Sequence, residues 1–310
     1  MRRVLGFTLL LLGFLLIFLA PFIHWYAVPR IEKAPLDVDQ TVYSGGSGTY
    51  FNAKALRLVG PVPIQNIQRY KGDVEQSTTD VVVINYQSQT VDLQSANPFD
   101  YDREVYAMDR KTGFAVNCCG EKPMHSGVGV KFPFDAQKTT YPLWDTASDR
   151  SYPAKFVGED TIDGLTAYEW EAVSGPVRVG TLDLPKSLVG QPGSGTTPTD
   201  RMYSTVITVW AEPQTGAVVK GHQLVHQWAE VDGTKALVLA NLDLEYTPQT
   251  VTKLVDDTRS SLKQLNLIRI VIPIVGPIIG LVLLGVGVWL LRGRRPARKQ
   301  PAPQPAAATT

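Results

Sequence analysis

The chain has 310 residues, of which 44% are hydrophobic and 19% are charged, and its formal net charge at pH 7 is +1. This near-neutral balance excludes a strongly basic nucleic-acid binder, and the hydrophobic content excludes an acidic disordered chain. All 29 acidic residues lie between Glu32 and Asp257, so both ends of the chain lack negative charge.

The first predicted element is an apolar helix, Val4–Ile23, without a charged residue. A helix of roughly 20 apolar residues is long enough to cross about 30 Å of hydrocarbon. A cleaved signal peptide is the alternative, but its apolar stretch is shorter, about 7–15 residues, and ends in small residues. Here the stretch runs into Pro21–Tyr26 without such a pattern. We therefore expect an uncleaved transmembrane anchor over residues 1–27.

Residues 28–248 predict a β-rich extracytoplasmic domain. Asp80–Tyr86 is a β-branched run, and Leu242–Tyr246 alternates between apolar and polar residues, as a half-buried strand does. The glycine-rich stretches Ser44–Gly48 and Gly190–Thr197 are expected to separate strands. The predicted fold class is membrane-anchored and mainly β, with a single large antiparallel curved sheet or half-barrel between two transmembrane helices.

An acid-x-x-Thr-Gly pattern occurs in both Val105–Val116 and Thr208–Val219. Each copy predicts a strand, a turn with glycine at positive φ and a return strand. Two ordinary hairpins explain the pattern, and so does a duplicated strand unit, which favours one large curved sheet. Similar hairpins occur in the half-barrel lipoprotein carriers of bacterial envelopes, and that resemblance implies an interior that encloses acyl chains.

Cys118 and Cys119 are the only two cysteines and are adjacent. Adjacent Cα atoms lie about 3.8 Å apart, below the usual range of about 4.4–6.8 Å for a disulfide. A strained vicinal disulfide and two free or separately paired thiols are both open interpretations. Zinc binding by this pair alone is not expected, because tetrahedral sites need ligands spaced two or more residues apart.

Four aromatic residues crowd a proline-containing stretch: Phe132, Phe134, Tyr141 and Trp144. They are interpreted either as a core plug at the sheet edge or as the entrance to a cavity for an apolar ligand.

Motifs that carry chemistry are lacking. The sequence contains no G-x-S-x-G, P-loop, H-E-x-x-H or paired C-x-x-C motif. His222 and His226 share one face of a predicted strand, but at that spacing they lie roughly 13 Å apart, too far for one metal ion. We expect no catalytic residue, no metal site and no cofactor, and hence a protein that is not an enzyme.

The chain ends in two predicted helices and a tail. Apolar residues at helical spacing predict a stalk helix over 249–269, followed by a transmembrane helix over 270–291. Gly276 and Gly280 give the second helix a small-xxx-small face, which favours packing on the first helix or on another copy. Residues 292–310, rich in proline and alanine, predict a disordered tail.

Basic residues flank the apolar helices. They are Arg2 and Arg3 before the first helix, and Arg292, Arg294, Arg295, Arg298 and Lys299 after the second. The positive-inside rule then predicts a two-pass protein of the plasma membrane with both termini cytoplasmic and the main domain outside.

The N-terminal anchor, the stretches Asp109–Gly120, Lys131–Asp135 and Tyr141–Asp145, and the closing span together resemble an actinobacterial envelope family named after porin PorA. That resemblance implies channel activity. Helical spans, however, do not match the strand-built barrel of outer-membrane porins. The layout of two anchors around one domain also resembles the lipid scavenger receptors.

The sequence therefore favours a non-enzymatic membrane protein of the cell envelope that binds or passes a hydrophobic, lipid-like component through its outer domain. A channel or channel-associated protein is the first alternative, and a structural or protein-interaction module is the second. The expected partners are the membrane, a lipid or envelope glycolipid, and a second copy or an envelope protein. No nucleic acid is expected.

Overall fold

The computed structural model describes residues 2–292; the remainder of the predicted tail lies outside the described residues. The chain divides into two compact units. The helical unit comprises Met1–Ile31 and Gln264–Thr310, and the sheet unit comprises Glu32–Lys263.

Two helices in the structure are long and apolar enough to cross a membrane, Arg2–Phe22 and the helical run Pro248–Leu291. The helical elements among the described residues are α1 (Arg2–Phe22), a π-helical turn (Ile23–Ala27), α2 (Val28–Ile31), a 3₁₀ turn (Lys186–Leu188), α3 (Pro248–Asn266), a second π-helical turn (Leu267–Val271) and α4 (Ile272–Leu291). Within the helical unit, the residues of α1 that are buried are Gly6, Gly13 and Ala20, and those of α4 are Gly280 and Gly287. Their seven-residue spacing keeps the small residues on one side of each helix, where two backbones can approach closely.

The sheet unit contains a single ten-stranded sheet, in which every neighbouring pair is antiparallel. The strand order is β4-β3-β2-β1-β10-β9-β8-β7-β6-β5, so most neighbours are joined by hairpins. This confirms the predicted fold class. The strands are β1 (Asp39–Asn52), β2 (Arg57–Asp73), β3 (Val81–Asp92), β4 (Asn97–Asp109), β5 (Tyr141–Asp145), β6 (Arg150–Ile162), β7 (Leu165–Pro185), β8 (Thr196–Ala211), β9 (Val218–Val231) and β10 (Thr234–Tyr246).

Asp-Gly pairs make two of the hairpins. Asp163 and Gly164 join β6 to β7 with φ of 46° and 77°, and Asp232 and Gly233 join β9 to β10 with φ of 50° and 74°. Two consecutive residues at positive φ give the turn whose twist matches that of antiparallel strands, and Asp-Gly is a preferred sequence for it.

The prediction that Ser44–Gly48 separates strands is wrong, because these residues lie inside β1. The glycines serve close strand packing instead. A Cβ atom on Gly46 would lie 1.8 Å from the carbonyl oxygen of Asp243 on β10. Only a residue without a side chain fits where another backbone approaches so closely.

The sheet curves so that its two edge strands, β4 and β5, approach each other. Trp144 of β5 packs in one apolar cluster with Val82 and Met108 of β3 and β4. The loop between the edges links them through isolated bridges, Val105 with Lys122 on one side and Val128 with Leu143 on the other. We call this loop, residues 114–130, the seam.

Helix α3 packs on the sheet through the apolar stripe that the sequence shows. Leu254 and Val255 share a core cluster with Val42 of β1, Ile162 of β6 and Val219 of β9. These strands are not neighbours in the sheet, so the helix contacts its curved inner side. The residues predicted as a stalk therefore contribute to the core of the sheet unit.

Candidate functional site

A cavity of about 210 Å³ lies inside the curved sheet, between strands of its two halves. Residues of β1–β5 and of β8–β10 line it. Pockets for drug-sized ligands measure about 300–1,000 Å³. The cavity therefore suits a smaller molecule.

One wall of the cavity carries a row of carboxylates. Asp100, Asp102 and Glu104 line the cavity from β4. Residues two apart on a strand share a face and are separated by roughly 7 Å. Asp100 is exposed, Asp102 is partly buried and Glu104 is 4% exposed, so the row leads from solvent to the interior. Asp145, at the end of β5, adds a fourth carboxylate.

The same wall continues with amides and hydroxyls on β2 and β3. Asp102 pairs with Ser88, which pairs with Gln68. The side-chain amide of Asn66 donates to Ser88 Oγ at 2.9 Å and to Thr90 Oγ1 at 3.0 Å. These side chains are thus held in place by hydrogen bonds across the strands.

A second wall, from β8 to β10, combines apolar residues with polar ones, since Thr208, His222, Gln223 and Gln227 also line the cavity. Val225, Leu242 and Leu244 line the cavity and are only 7–8% exposed. Ile207 and Val209 of β8 extend this surface. The cavity therefore has one acidic side and one side on which apolar and polar side chains are mixed.

Aromatic residues also line the cavity: Tyr70, Tyr86, Tyr106, Tyr246 and Trp144. The rings of Tyr70 and Tyr86 lie 5.0 Å apart. Burial raises the pKa of Tyr246 to about 12 and places the pKa of Tyr70 well above its ordinary value, because the phenolate loses its solvation. These phenols remain neutral at physiological pH and present aromatic surface.

Trp144 has a hydrogen-bond donor that is not used within the described residues. The side chain is 8% exposed, and its indole Nε1–H has no acceptor there. Buried polar groups are normally hydrogen-bonded. The nitrogen is enclosed by protein atoms, so it does not reach the open space of the cavity.

Desolvation acts on two of the cavity carboxyls. It raises the pKa of Asp102, and it also raises the pKa of Asp145, despite hydrogen bonds from Ser148 Oγ at 2.5 Å and Tyr203 Oη at 2.9 Å. No lysine or arginine lines the cavity among the residues that the structure describes. A positively charged ligand would relieve this cost of burying negative charge.

The innermost carboxylate, Glu104, ties β4 to the seam. His125 is 3% exposed, and its Nε2 lies 3.0 Å from Glu104 Oε2 while its Nδ1 lies 2.8 Å from Glu121 Oε1. Thr146 Oγ1 donates to the same oxygen of Glu104 at 3.2 Å. Each nitrogen-to-carboxylate contact needs a proton between the two atoms. This cluster fixes one edge of the cavity wall.

Comparison with known proteins assigns the chain to a family. The family described as Porin PorA matches residues 5–289, a stretch that includes most of both apolar helices and the whole sheet. This chain belongs to the porin PorA family. A protein described as Porin PorA from Corynebacterium amycolatum is 24% identical, and the alignment covers 78% of this chain and 82% of the relative. A Porin PorA from Corynebacterium resistens is 23% identical, and the alignment covers 96% of this chain and 99% of the relative. The predicted family resemblance is confirmed.

In this member of the porin PorA family, the four aromatic residues singled out in the sequence do not gather at one opening. Phe132 is fully buried, its ring stacks on Trp170 at 4.3 Å, and Tyr141 meets it edge-on at 5.5 Å. The Phe134 ring lies 3.9 Å from Nζ of Lys131, whose pKa burial lowers to about 7. Of the four, only Trp144 lines the cavity.

The cysteines and the predicted helix-packing glycines are not among the residues that line the cavity. The Sγ atoms of Cys118 and Cys119, in the seam, are bonded to each other. A Cβ atom on Gly280 would meet the carbonyl oxygen of Gly13 at 2.7 Å, whereas one on Gly276 would have ordinary contact at 3.8 Å.

The two histidines considered as metal ligands are bonded to β10 instead. His222 Nε2 lies 2.8 Å from Asp243, and His226 Nδ1 lies 3.1 Å from Asn241. Among the described residues, no group of three or more His, Cys, Asp or Glu side chains is arranged to hold a metal ion.

The carboxylate row was missed at the sequence level. Its signal is the alternation Asp100-Tyr101-Asp102-Arg103-Glu104. Acids at every second residue put three negative charges on one face of a strand. In this segment the acidic residues alternate with residues that are uncharged or positively charged, so apolar residues do not recur with the period of a strand. The sequence therefore did not indicate a strand with a face turned to the interior.

Proposed function

We propose that this protein is a non-enzymatic, channel-type protein of the cell envelope that takes up small polar or charged solutes on the extracytoplasmic side. Its two apolar helices span the plasma membrane, both termini are cytoplasmic, and the sheet unit is outside. Because two helices per chain cannot enclose a pore, several copies assemble through their spans. Membership of the porin PorA family supports the channel class.

The observation that carries the proposal is the carboxylate row inside the sheet. An acyl chain placed against Asp100 and Asp102 would remove water from carboxylates that no lysine or arginine among the described lining residues neutralises. Each buried polar group left without a partner costs about 1–3 kcal/mol, and a charged group costs more. The interior therefore favours polar solutes over acyl chains.

Lipid binding is the second candidate function. The apolar side chains of Val225, Leu242 and Leu244 support it, since hydrocarbon could lie against them. This candidate predicts that acyl-chain material stays with the purified protein when detergent extraction is avoided, for instance by release in polymer-bounded native membrane discs.

The test is single-channel recording of the purified full-length protein in planar bilayers. We expect discrete conductance steps, and Asp102→Asn should change the conductance or the ion selectivity because it removes a charge inside the sheet. Glu171→Gln is the matched control, since Glu171 is exposed on β7 and does not line the cavity.

Two outcomes would contradict the channel proposal. One is an absence of conductance from protein that is folded by circular dichroism. The other is the copurification of a stoichiometric lipid with a silent protein, which would favour the lipid candidate.

A further inference from the structure

We propose that the cavity is a binding site for a small organic ammonium ion with a hydrocarbon portion. The proposal goes beyond channel activity, because binding to this site does not depend on whether the assembled protein conducts. It rests on three features of one cavity: the carboxylates, the aromatic rings and the apolar side chains of the second wall.

The charge of the ligand follows from the lining. Asp100, Asp102, Glu104 and Asp145 contribute carboxylates, and among the described residues no lysine or arginine lines the cavity to balance them. Of these four carboxylates, His125 contacts only that of Glu104. Asp100 and Asp102 lie toward the solvent end of the row. Among the described residues that line the cavity, none forms an ion pair with either of them. A cation is therefore the ligand that this wall stabilises.

The aromatic residues distinguish an organic cation from a metal ion. The rings of Tyr70, Tyr86, Tyr106 and Tyr246 line the same space as Glu104. An ammonium group gains from the negative face of an aromatic ring, and cages of such rings recognise quaternary ammonium ions. A divalent metal ion instead needs several converging oxygen ligands. Among the described residues, no cluster of His, Cys, Asp or Glu offers such a set.

The remaining features define the rest of the ligand. The apolar side chains of Val225, Leu242 and Leu244 on the second wall accommodate methyl or methylene groups, and burial of each CH₂ contributes about 0.8 kcal/mol. The cavity of about 210 Å³ limits the ligand to a small molecule. Choline is a small ammonium ion whose charge is surrounded by methyl groups, so it matches this lining.

The experiment is calorimetric titration of choline chloride into the full-length protein in a maltoside detergent, which contains no ammonium group. The uncharged carbon isostere, in which carbon replaces the nitrogen of choline, is titrated in parallel. We expect saturable binding of choline and at least tenfold weaker binding of the isostere. A tenfold ratio corresponds to about 1.4 kcal/mol.

Three variants locate the binding site. Asp102→Asn should weaken choline binding about fivefold or more, because it removes a partly buried charge from the wall. Tyr246→Leu should weaken it by removing aromatic surface. Glu171→Gln removes the same charge from the outer face and should leave the affinity within twofold of the wild-type value. Circular dichroism and thermal unfolding verify that each variant is folded.

Several results would overturn the proposal. These are no saturable binding of choline by folded wild-type protein, equal affinity for choline and its isostere, or equal weakening by Asp102→Asn and Glu171→Gln. The last result would show attraction by overall charge without a defined site. None of these results bears on conductance in bilayers, so failure of this proposal is distinguishable from failure of the channel function.

Discussion

Phe132 is buried because the loop that carries it is bonded to two hairpin turns. Its N–H donates to the carbonyl of Gly216 at 2.8 Å, and the N–H of Phe134 donates to the carbonyl of Lys111 at 3.2 Å. The Phe132 ring then stacks on Trp170. Both turns thus hold one loop, and these backbone bonds decide where the aromatic side chain lies.

Cys118 and Cys119 form a second site at the residue scale. Cys119 has a φ of 61°, in the left-handed region that residues other than glycine rarely adopt. The N–H of Glu121 donates to the carbonyl of Cys118 at 3.1 Å, which closes the turn around the pair. A vicinal disulfide suits such a short, fixed turn, and disulfides persist in the oxidising compartment in which we expect the sheet unit to lie.

We predict that the intact mass of the native protein is two hydrogens below that of the dithiol form. Addition of a reductant should raise the mass by two hydrogens. The mass of a variant with Cys118→Ser and Cys119→Ser should not change on reduction. The measurement is mass spectrometry of unreduced protein. Complete alkylation of both cysteines without a reductant would disprove the vicinal disulfide.

At the scale of elements, the repeated acid-x-x-Thr-Gly pattern forms two nearly identical turns. Asp109 Oδ1 accepts hydrogen bonds from the N–H and Oγ1 of Thr112 at 2.7 and 2.9 Å. Glu212 Oε2 accepts from the same groups of Thr215 at 2.8 and 2.6 Å. The glycines that follow have φ of 72° and 70°. The return arms differ: the first makes only isolated bridges, whereas the second is the long strand β9.

The packing of α1 on α4 depends on glycines at specific positions, and this gives a matched pair of variants. A Cβ atom on Gly13 would lie 2.7 Å from the carbonyl oxygen of Gly280, which cannot move without shifting the helix. A Cβ atom on Gly285 would meet no atom within 4 Å.

We expect Gly13→Leu to destabilise the helix pair by about 1–3 kcal/mol, the usual cost of overpacking. Gly285→Leu should have little effect, because its side chain enters open space. Thermal unfolding of both variants in the same detergent checks this difference. Equal stabilities would mean that α1 and α4 do not pack closely through Gly13.

At the scale of the whole molecule, the charge distribution predicts the orientation in the membrane. Acidic residues are confined to the stretch between the apolar helices, whereas arginines flank the outer ends of both. Positive charge remains on the cytoplasmic side during insertion. The sheet unit is therefore expected outside the cell, and the tail inside.

Labelling of single cysteines tests this orientation in a background with Cys118→Ser and Cys119→Ser. Ser47→Cys and Ser194→Cys are at exposed positions of the sheet unit and should react with a membrane-impermeant maleimide added to intact cells. Thr309→Cys, in the tail outside the described residues, should react only after the cells are opened. Protection of the first two positions would reverse the predicted topology.

The sequence by itself determined the local and the one-dimensional features of this protein. Two uncharged stretches predict the apolar helices, period-two alternation predicts strands such as Leu242–Tyr246, and Asp or Glu followed by Thr-Gly predicts turns. The motifs of Asp109–Gly120 and Tyr141–Asp145 indicate the family. Each of these follows from neighbours in the chain, because hydropathy, backbone propensity and turn chemistry act over a few residues.

Only the tertiary structure decided the character of the interior. Glycines inside β1 resemble a loop in the sequence, but Gly46 is required by the approach of Asp243, almost the whole domain away in sequence. Curvature of the sheet brings Asp102 on β4 into the same cavity as Leu242 on β10. In the sequence, the acidic residues of β4 alternate with their neighbours just as they would in an edge strand with both faces in solvent. Which face becomes the interior depends on how ten strands close around it, and that requires contacts between residues far apart in the chain.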